Sequence, residues 1–320
     1  MNLLITGITG LFGSYLYRAF SDQGIIHGLK RQSSSLSLLG EDAGKITWHE
    51  GDINDPLSLE AAFSGMDLII HAAGLVSFDP RDNQRLWTVN QEGTKNVVDT
   101  MLFLKIPKLI HISSVAALGR IAAMNQVNEN QKWAESELNT AYATSKYHGE
   151  LEVWRGAQEG LEVMVFNPSV ILGKVKENRS SSAIYQYVIK EHRYFPSGKI
   201  NYIDARDAAS MVKKLFLKNQ WGERFILSKE GLSYREFFKE MAAVFQKKPP
   251  QKPVPTRWIW LGLLLANIRN WFAAEKTILN KQTALLAQQD IVFDSSKSTS
   301  LTGQEYYTLQ ETFLWARNEN

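Results

Sequence analysis

Short apolar runs alternate with amphipathic stretches along the first half of the chain. Residues 2–6 (NLLIT), 25–29 (IIHGL), 46–50 (ITWHE), 67–73 (DLIIHAA), 108–114 (KLIHISS) and 161–167 (LEVMVFN) have the length and character of strands. Between them, 11–24 (LFGSYLYRAFSDQG), 58–65, 90–105 and the stretch around 141–150 read as helices, with Gly24 as the stop of the first. Such alternation predicts a parallel sheet covered on both faces, a doubly wound α/β fold. Ligands in these folds sit at the carboxyl ends of the strands. The positions to inspect are therefore Thr6, Leu29, Glu50, Ala72, Ser114 and Asn167.

After about residue 170 the pattern loosens. Residues 174–182 (KVKENRSSS) are polar and loop-like, 200–216 return to strand then helix, and 247–255 (KKPPQKPVP) form a proline-rich basic connector. The reading is a nucleotide-binding domain over 1–169, with 200–227 returning to it. Residues 170–199 and 228–320 form a smaller, mostly C-terminal substrate-binding domain. In 258–272 (WIWLGLLLANIRNWF), Asn267, Arg269 and Asn270 interrupt the apolar run, leaving it too short to span a bilayer. It is expected as a substrate-domain helix, with a dimer contact or an interfacial membrane helix as the other readings.

Composition narrows the function. The 36 basic and 33 acidic residues give a net charge of only +3, which argues against a nucleic-acid partner. With no cysteine there are no disulfides, thiolate nucleophiles or cysteine-held metals. The six histidines form no His-x-x-x-His pair, so no metal site is expected. A serine-hydrolase elbow and a Gly-x-x-x-x-Gly-Lys phosphate loop are both absent. Met1 leads straight into the first strand without a signal-peptide pattern, and a cytoplasmic location is expected. Asp207 (in YIDARDAA) precedes a helix and reads as its cap.

The first strand runs into TGITGLFG, which sets Gly7, Gly10 and Gly13 three apart. Glycines here allow positive φ and close approach of backbone to a pyrophosphate, while the helix N-terminus offers free N–H groups. Thr9, Leu11 and Phe12 join them as expected dinucleotide contacts in a Rossmann-type sheet. The second strand ends in Lys30 and Arg31, followed by Ser33 and Ser34. Two cations and hydroxyls suit a 2′-phosphate, so NADP(H) is preferred and NAD(H) is the alternative. After the third strand, Asp52 could accept from an adenine amino group and Ile53 could pack on its ring. Ala72, Ala73 and Gly74 leave room for cofactor at the end of the fourth.

Tyr142 and Lys146 are four apart and share a helix face. A carbonyl that accepts hydride builds negative charge on oxygen, which a proton donor and a hydrogen-bond donor must meet. The spacing predicts that Lys146 lowers the phenol pKa from its usual value near 10.

Together, TGITGLFG, GDIND, HAAG, VNQEGTKNVV, HISSVAALG, YATSK, NPSVILG and YIDARDAA resemble the extended short-chain dehydrogenase/reductase (NAD-dependent epimerase/dehydratase) superfamily. The chain is most similar to its dihydroflavonol-4-reductase-like branch. The resemblance implies that Tyr142 and Lys146 are the catalytic pair and also contact cofactor. It matches Ser114 to the catalytic Ser/Thr, with Ser113 the competing choice. It implies that Asn90 supports a proton relay and that Asn167 and Pro168 lie near the nicotinamide. Relatives often dimerise through two helices of the first domain, which implies a homodimer here.

Sugar dehydratases of the superfamily place an acid after the active-site Ser/Thr, whereas Val115, Ala116 and Ala117 follow Ser114. The leading expectation is an NADP(H)-dependent oxidoreductase acting on a small-molecule carbonyl compound or its alcohol. The alternatives are a nucleotide-sugar epimerase with tightly held NAD and a non-catalytic cofactor sensor.

Overall fold

The computed structural model describes residues 1–121, 124–175, 182–254 and 285–318. The 258–272 segment and most of the 174–182 loop lie outside the described residues.

The first half contains β1 (Asn2–Thr6), α1 (Leu11–Phe20), β2 (Ile25–Lys30), β3 (Thr47–Glu50), α2 (Pro56–Phe63) and β4 (Leu68–His71). It continues through α3 (Asn83–Trp87), α4 (Gly93–Leu104), β5 (Lys108–Ile112), the short β6 (Gln126–Val127), α5 (Ala141–Gln158) and β7 (Glu162–Pro168). Then come β8 (Val170–Leu172), α6 (Ser182–Ile189), β9 (Tyr194–Phe195), β10 (Lys199–Asp204), α7 (Ala205–Leu217) and β11 (Glu223–Leu227). The chain ends with β12 (Glu230–Ser233), α8 (Tyr234–Phe245), β13 (Lys252–Pro253), β14 (Val292–Phe293), α9 (Ser296–Thr302) and α10 (Leu309–Arg317).

Seven strands form one parallel sheet in the order β11-β7-β5-β4-β1-β2-β3. Alternate residues of each strand feed opposite cores. Leu3, Ile5, Ile70, Ile110 and Phe166 pack on the side of α1 and α7. Leu4, Ile69, Leu109, Val163 and Val165 pack on the side of α2, α4 and α5. Burial on both faces is why these strands read as unbroken apolar runs. The doubly wound parallel fold expected from the pattern is present.

Several boundaries differ from expectation. The first helix ends at Phe20, not at Gly24. Gly24 instead has φ of +148°, and a Cβ there would lie 2.0 Å from the Met1 carbonyl oxygen, so the start of β2 requires it. β4 stops at His71 and β5 at Ile112, which frees Ala72–Gly74 and Ser113–Ser114 as loops over the sheet edge. The helix expected over 90–105 begins at Gly93, after a π-helical turn at Thr88–Glu92.

A second sheet has the order β12-β10-β8, with β10 parallel to β8 and antiparallel to β12. Tyr185, Tyr202, Phe237 and Phe313 centre its own apolar core with α6, α8 and α10. Asp204, not Asp207, caps α7: its carboxylate accepts from the Arg206 N–H at 2.8 Å and from the Thr312 hydroxyl at 2.9 Å. Asp207 lies inside the first turn. It accepts from the Gln304 amide at 2.9 Å and the Tyr307 N–H at 3.1 Å, and burial together with the Asp204 charge pushes its carboxyl up to about 6.

Candidate active site

The three turn glycines divide the work. Gly7 has φ of +69°, and a Cβ on it would come within 2.5 Å of the Ala73 nitrogen. A Cβ on Gly13 would lie 2.1 Å from the Gly7 carbonyl oxygen. The protein itself therefore demands both. Gly10 is opposed only by the Gly7 oxygen at 3.1 Å, so its lack of a side chain leaves space outside the loop. α1 then starts without a side-chain cap or an acid in its first turn. Uncapped N–H groups at the positive end of a helix, beneath a surface bare of side chains, fit a pyrophosphate. Thr9 is half-buried beside them, whereas the side chains of Leu11 and Phe12 turn into the core, leaving their backbone for any such contact.

Lys30 closes β2 half-buried, and Arg31 is exposed in a turn where its N–H donates to the Ser34 hydroxyl at 3.1 Å. Neither cation has an ion-pair partner among the described residues. The Asp52 carboxylate accepts from the Asn54 backbone and side chain, both at 3.0 Å. Ile53 departs from expectation. It is buried in the core against Gly93, where an added Cβ would lie 2.7 Å from its Cδ1, so little of its side chain is left to cover an adenine ring.

Thr140 caps α5 by accepting from the Ala143 N–H at 3.1 Å, which sets Tyr142 in the first turn above the strand ends. The Ser114 side chain is the polar neighbour that pulls the Tyr142 phenol pKa down, its hydroxyl also accepting from the Ala116 N–H at 3.2 Å, and the Phe78 ring meets the phenol ring edge-on at 5.8 Å. Ser113 faces inward, buried, its N–H spent on the Phe166 carbonyl at 2.7 Å and its hydroxyl unpartnered. Of the two serines, Ser114 is the one brought to Tyr142. One turn along α5, the buried Lys146 ammonium donates to the Ile112 carbonyl at 2.9 Å. A Cβ on Gly74 would lie 3.2 Å from the Asn90 amide oxygen and 3.7 Å from that ammonium, so the loop after β4 passes close over Lys146.

The electrostatics reverse one expectation. Burial raises the Tyr142 phenol above its ordinary value, and the Ser114 hydrogen bond, not Lys146, is what pulls it back. Burial also brings the Lys146 ammonium down to about 8, against the opposing pull of the Glu150 carboxylate.

Asn90 is occupied in scaffolding. Its amide donates to the Leu75 carbonyl and the Ser145 hydroxyl, both at 2.9 Å, and its oxygen accepts from the Leu75 N–H at 2.8 Å. It thus ties the loop after β4 to α5. The Asn167 amide donates to the Ser114 carbonyl and the Glu150 carboxylate, both at 2.9 Å, while Pro168 completes β7 next to Leu227. Glu150 also pairs with Arg224 and accepts from the Trp154 indole at 3.3 Å. Sequence reasoning passed over Glu150. The available signal was its spacing, two helical turns from Tyr142 and one from Lys146 on the same face. Beneath the site, His71 joins Thr6 at 2.7 Å and Thr94 at 3.1 Å, and burial holds this imidazole at about 3.

Among the described residues, no cluster of three His, Asp or Glu side chains could hold a metal. None of their helices is long and apolar enough to cross a membrane.

The family model "NAD dependent epimerase/dehydratase family" matches residues 3–225. A dihydroflavonol 4-reductase-like protein of Synechocystis sp. is 26% identical over 98% of this chain and 94% of its own length. Sterol demethylase protein B of Methylococcus capsulatus is 26% identical over 93% of this chain and 92% of its own. Among solved structures, a nucleoside-diphosphate-sugar epimerase from Pseudomonas aeruginosa superimposes with a TM-score of 0.77 at 18% identity, covering 99% of each chain. The chain belongs to the NAD dependent epimerase/dehydratase family and is an NAD(P)-dependent enzyme of the extended short-chain dehydrogenase/reductase type.

Proposed function

We propose that this family member is an NADP(H)-dependent oxidoreductase that interconverts a ketone or aldehyde and its alcohol. The observation that carries the reading is the Tyr142 phenol, with Ser114 as the neighbour that pulls its pKa down and the buried Lys146 one helical turn away, held to the Ile112 carbonyl at 2.9 Å. When bound, NADP(H) supplies the hydride. Tyr142 gives its proton to the developing alkoxide in reduction and takes it back in oxidation. Ser114 donates a hydrogen bond to the same oxygen. Lys146, one turn along the helix and held by the Ile112 carbonyl, can bind a ribose hydroxyl of the cofactor.

Preference for NADP(H) rests on Lys30, which ends β2, and Arg31 in the turn after it, both without carboxylate partners among the described residues. A small-molecule carbonyl or alcohol is the expected substrate, and the reductase name of the Synechocystis relative supports that class.

The test is a panel of flavonoid-like ketones, steroids, aldehydes and nucleotide sugars, read by NADPH oxidation. Turnover of a carbonyl by the wild type, lost in Tyr142→Phe with NADPH affinity kept, is the expected result. NAD retained through purification, together with epimerisation of a sugar nucleotide and no net oxidation, would overturn it.

A further inference from the structure

Arg120 stands just past the short turn Val115–Leu118 that Ser114 opens. Its backbone is fixed, the N–H donating to the Asn139 side chain at 2.9 Å. The guanidinium pairs with no carboxylate among the described residues, and its Nε is shut from solvent without an acceptor. The other interior arginines behave differently: Arg224 pairs with Glu150, and Arg206 with Asp204. Around Arg120 lie the Phe293 ring, 5.8 Å from the guanidinium carbon, and the Tyr234 phenol, its electrostatic neighbour.

These groups come from three directions. Arg120 arrives on the loop that carries Ser114, Tyr234 begins α8 over the second sheet, and Phe293 lies on β14, which pairs with β6. They meet where the loop that carries Ser114 adjoins the later segments, six residues along the chain from that serine. Holding a half-buried guanidinium with its Nε unpartnered is costly, and the cost is recovered if a ligand brings the anion to its accessible Nη groups. One cation with no second charge beside it among the described residues matches a monoanion. Burial keeps the Tyr234 phenol protonated, so it can donate beside the guanidinium fork.

We infer that Arg120, with Tyr234, forms the subsite for a substrate carboxylate, so that the carbonyl compound or alcohol turned over carries an acid group. This rests on the oxidoreductase reading for its catalytic consequence, though not for binding.

The experiment compares 4-formylbenzoate with its methyl ester as substrates for wild type and Arg120→Met under NADPH. In parallel, 4-(hydroxymethyl)benzoate and its methyl ester are titrated calorimetrically into both proteins. The wild type is expected to prefer the acid, and Arg120→Met to weaken its KM and Kd by roughly 10- to 100-fold while changing the esters less than about 3-fold. If neither aldehyde is reduced but the acid alone binds in an Arg120-dependent way, the subsite stands and the oxidoreductase reading falls. Equal affinity of acid and ester in the wild type, or equal losses for both in the variant, would overturn the subsite. Should Arg120→Met not fold, Tyr234→Phe serves, with a smaller loss confined to the acids.

Discussion

Glu150 and Asn167 are hydrogen-bonded at 2.9 Å, and the same Asn167 amide group holds the Ser114 carbonyl at 2.9 Å. A buried carboxylate on α5 thus fixes the backbone of the loop facing Tyr142, eight residues before it on the same helix.

Glu150→Gln should damage this arrangement in two measurable ways. It leaves Arg224 without its anion, and losing one partner of a buried pair costs about 3–5 kcal/mol, visible as a lower Tm. It also removes the charge that holds the Lys146 ammonium up, so the Lys146 titration should move below its value of about 8. A Tm drop with an unmoved pH profile would reduce Glu150 to a folding role.

Ser114→Ala should lower kcat by about 10²–10³, the size typical of a lost oxyanion donor, because the phenol also loses the hydrogen bond that offsets its burial. Ser113→Ala should leave kcat within about 3-fold, since its buried hydroxyl has no partner and it is Ser114 that acts on the Tyr142 phenol. Steady-state kinetics on the two variants, compared with the wild type, check both.

Lys146 should make the free protein's stability depend on pH. Its folded pKa, about 8, lies below the unfolded value of 10.5. Between the two the unfolded chain binds more protons, so this residue's contribution to stability rises with pH across that window. The difference in unfolding free energy between wild type and Lys146→Met should therefore shift in favour of the wild type from pH 8 to 9.5. Denaturant titrations at those pH values measure it, and a flat difference would count against a buried ammonium.

The glycines should separate folding from cofactor binding. Gly13→Ala sets a methyl against the Gly7 carbonyl and should cost several kcal/mol of stability, the range about 1–3 kcal/mol or more for overpacking. Gly10→Ala meets far less resistance and should keep its Tm within a few degrees while losing NADPH affinity by 10-fold or more. Thermal melts and NADPH fluorescence titration distinguish them.

Lys30→Ala/Arg31→Ala should raise the KM for NADPH about 10- to 100-fold and leave that for NADH within about 3-fold, because charge-assisted hydrogen bonds to a phosphate are worth roughly 1.5–3 kcal/mol. Equal effects on both coenzymes would remove the basis for an NADP(H) preference.

The sheet was legible because β4 and β5 are covered on both faces and so read as apolar runs such as LIIH and KLIHI. The glycine turn was legible because backbone contact leaves a compositional mark. Other features left none. Gly24 reads equally well as the end of a helix or the start of a strand, and only the Met1 carbonyl decides. Charge spacing along α5 suggested that Lys146 lowers the Tyr142 pKa, but burial, invisible in local sequence, dominates for both. Glu150 looks like any helix-surface acid until β7 and β11 bring Asn167 and Arg224 to it. Asn90 is matched to a relay by its motif, while its side chain is spent on Leu75 and Ser145.

The second sheet is sewn into the first and does not hang from one end of it. The backbone crosses between them after Pro168, at the junction of Asp204 with Ala205, and again beyond Leu227. An engineer who wished to graft a different substrate cap onto this nucleotide-binding sheet would find no single place to cut. Several coordinated splices are needed, since α9 also returns to β11 through Ser298 and the Ile226 carbonyl, and the splice at Asp204 must preserve the carboxylate that caps α7 and holds Thr312. With the second sheet read as the substrate-binding part, changes in substrate range are reached more readily by point substitution within it than by exchange of whole segments.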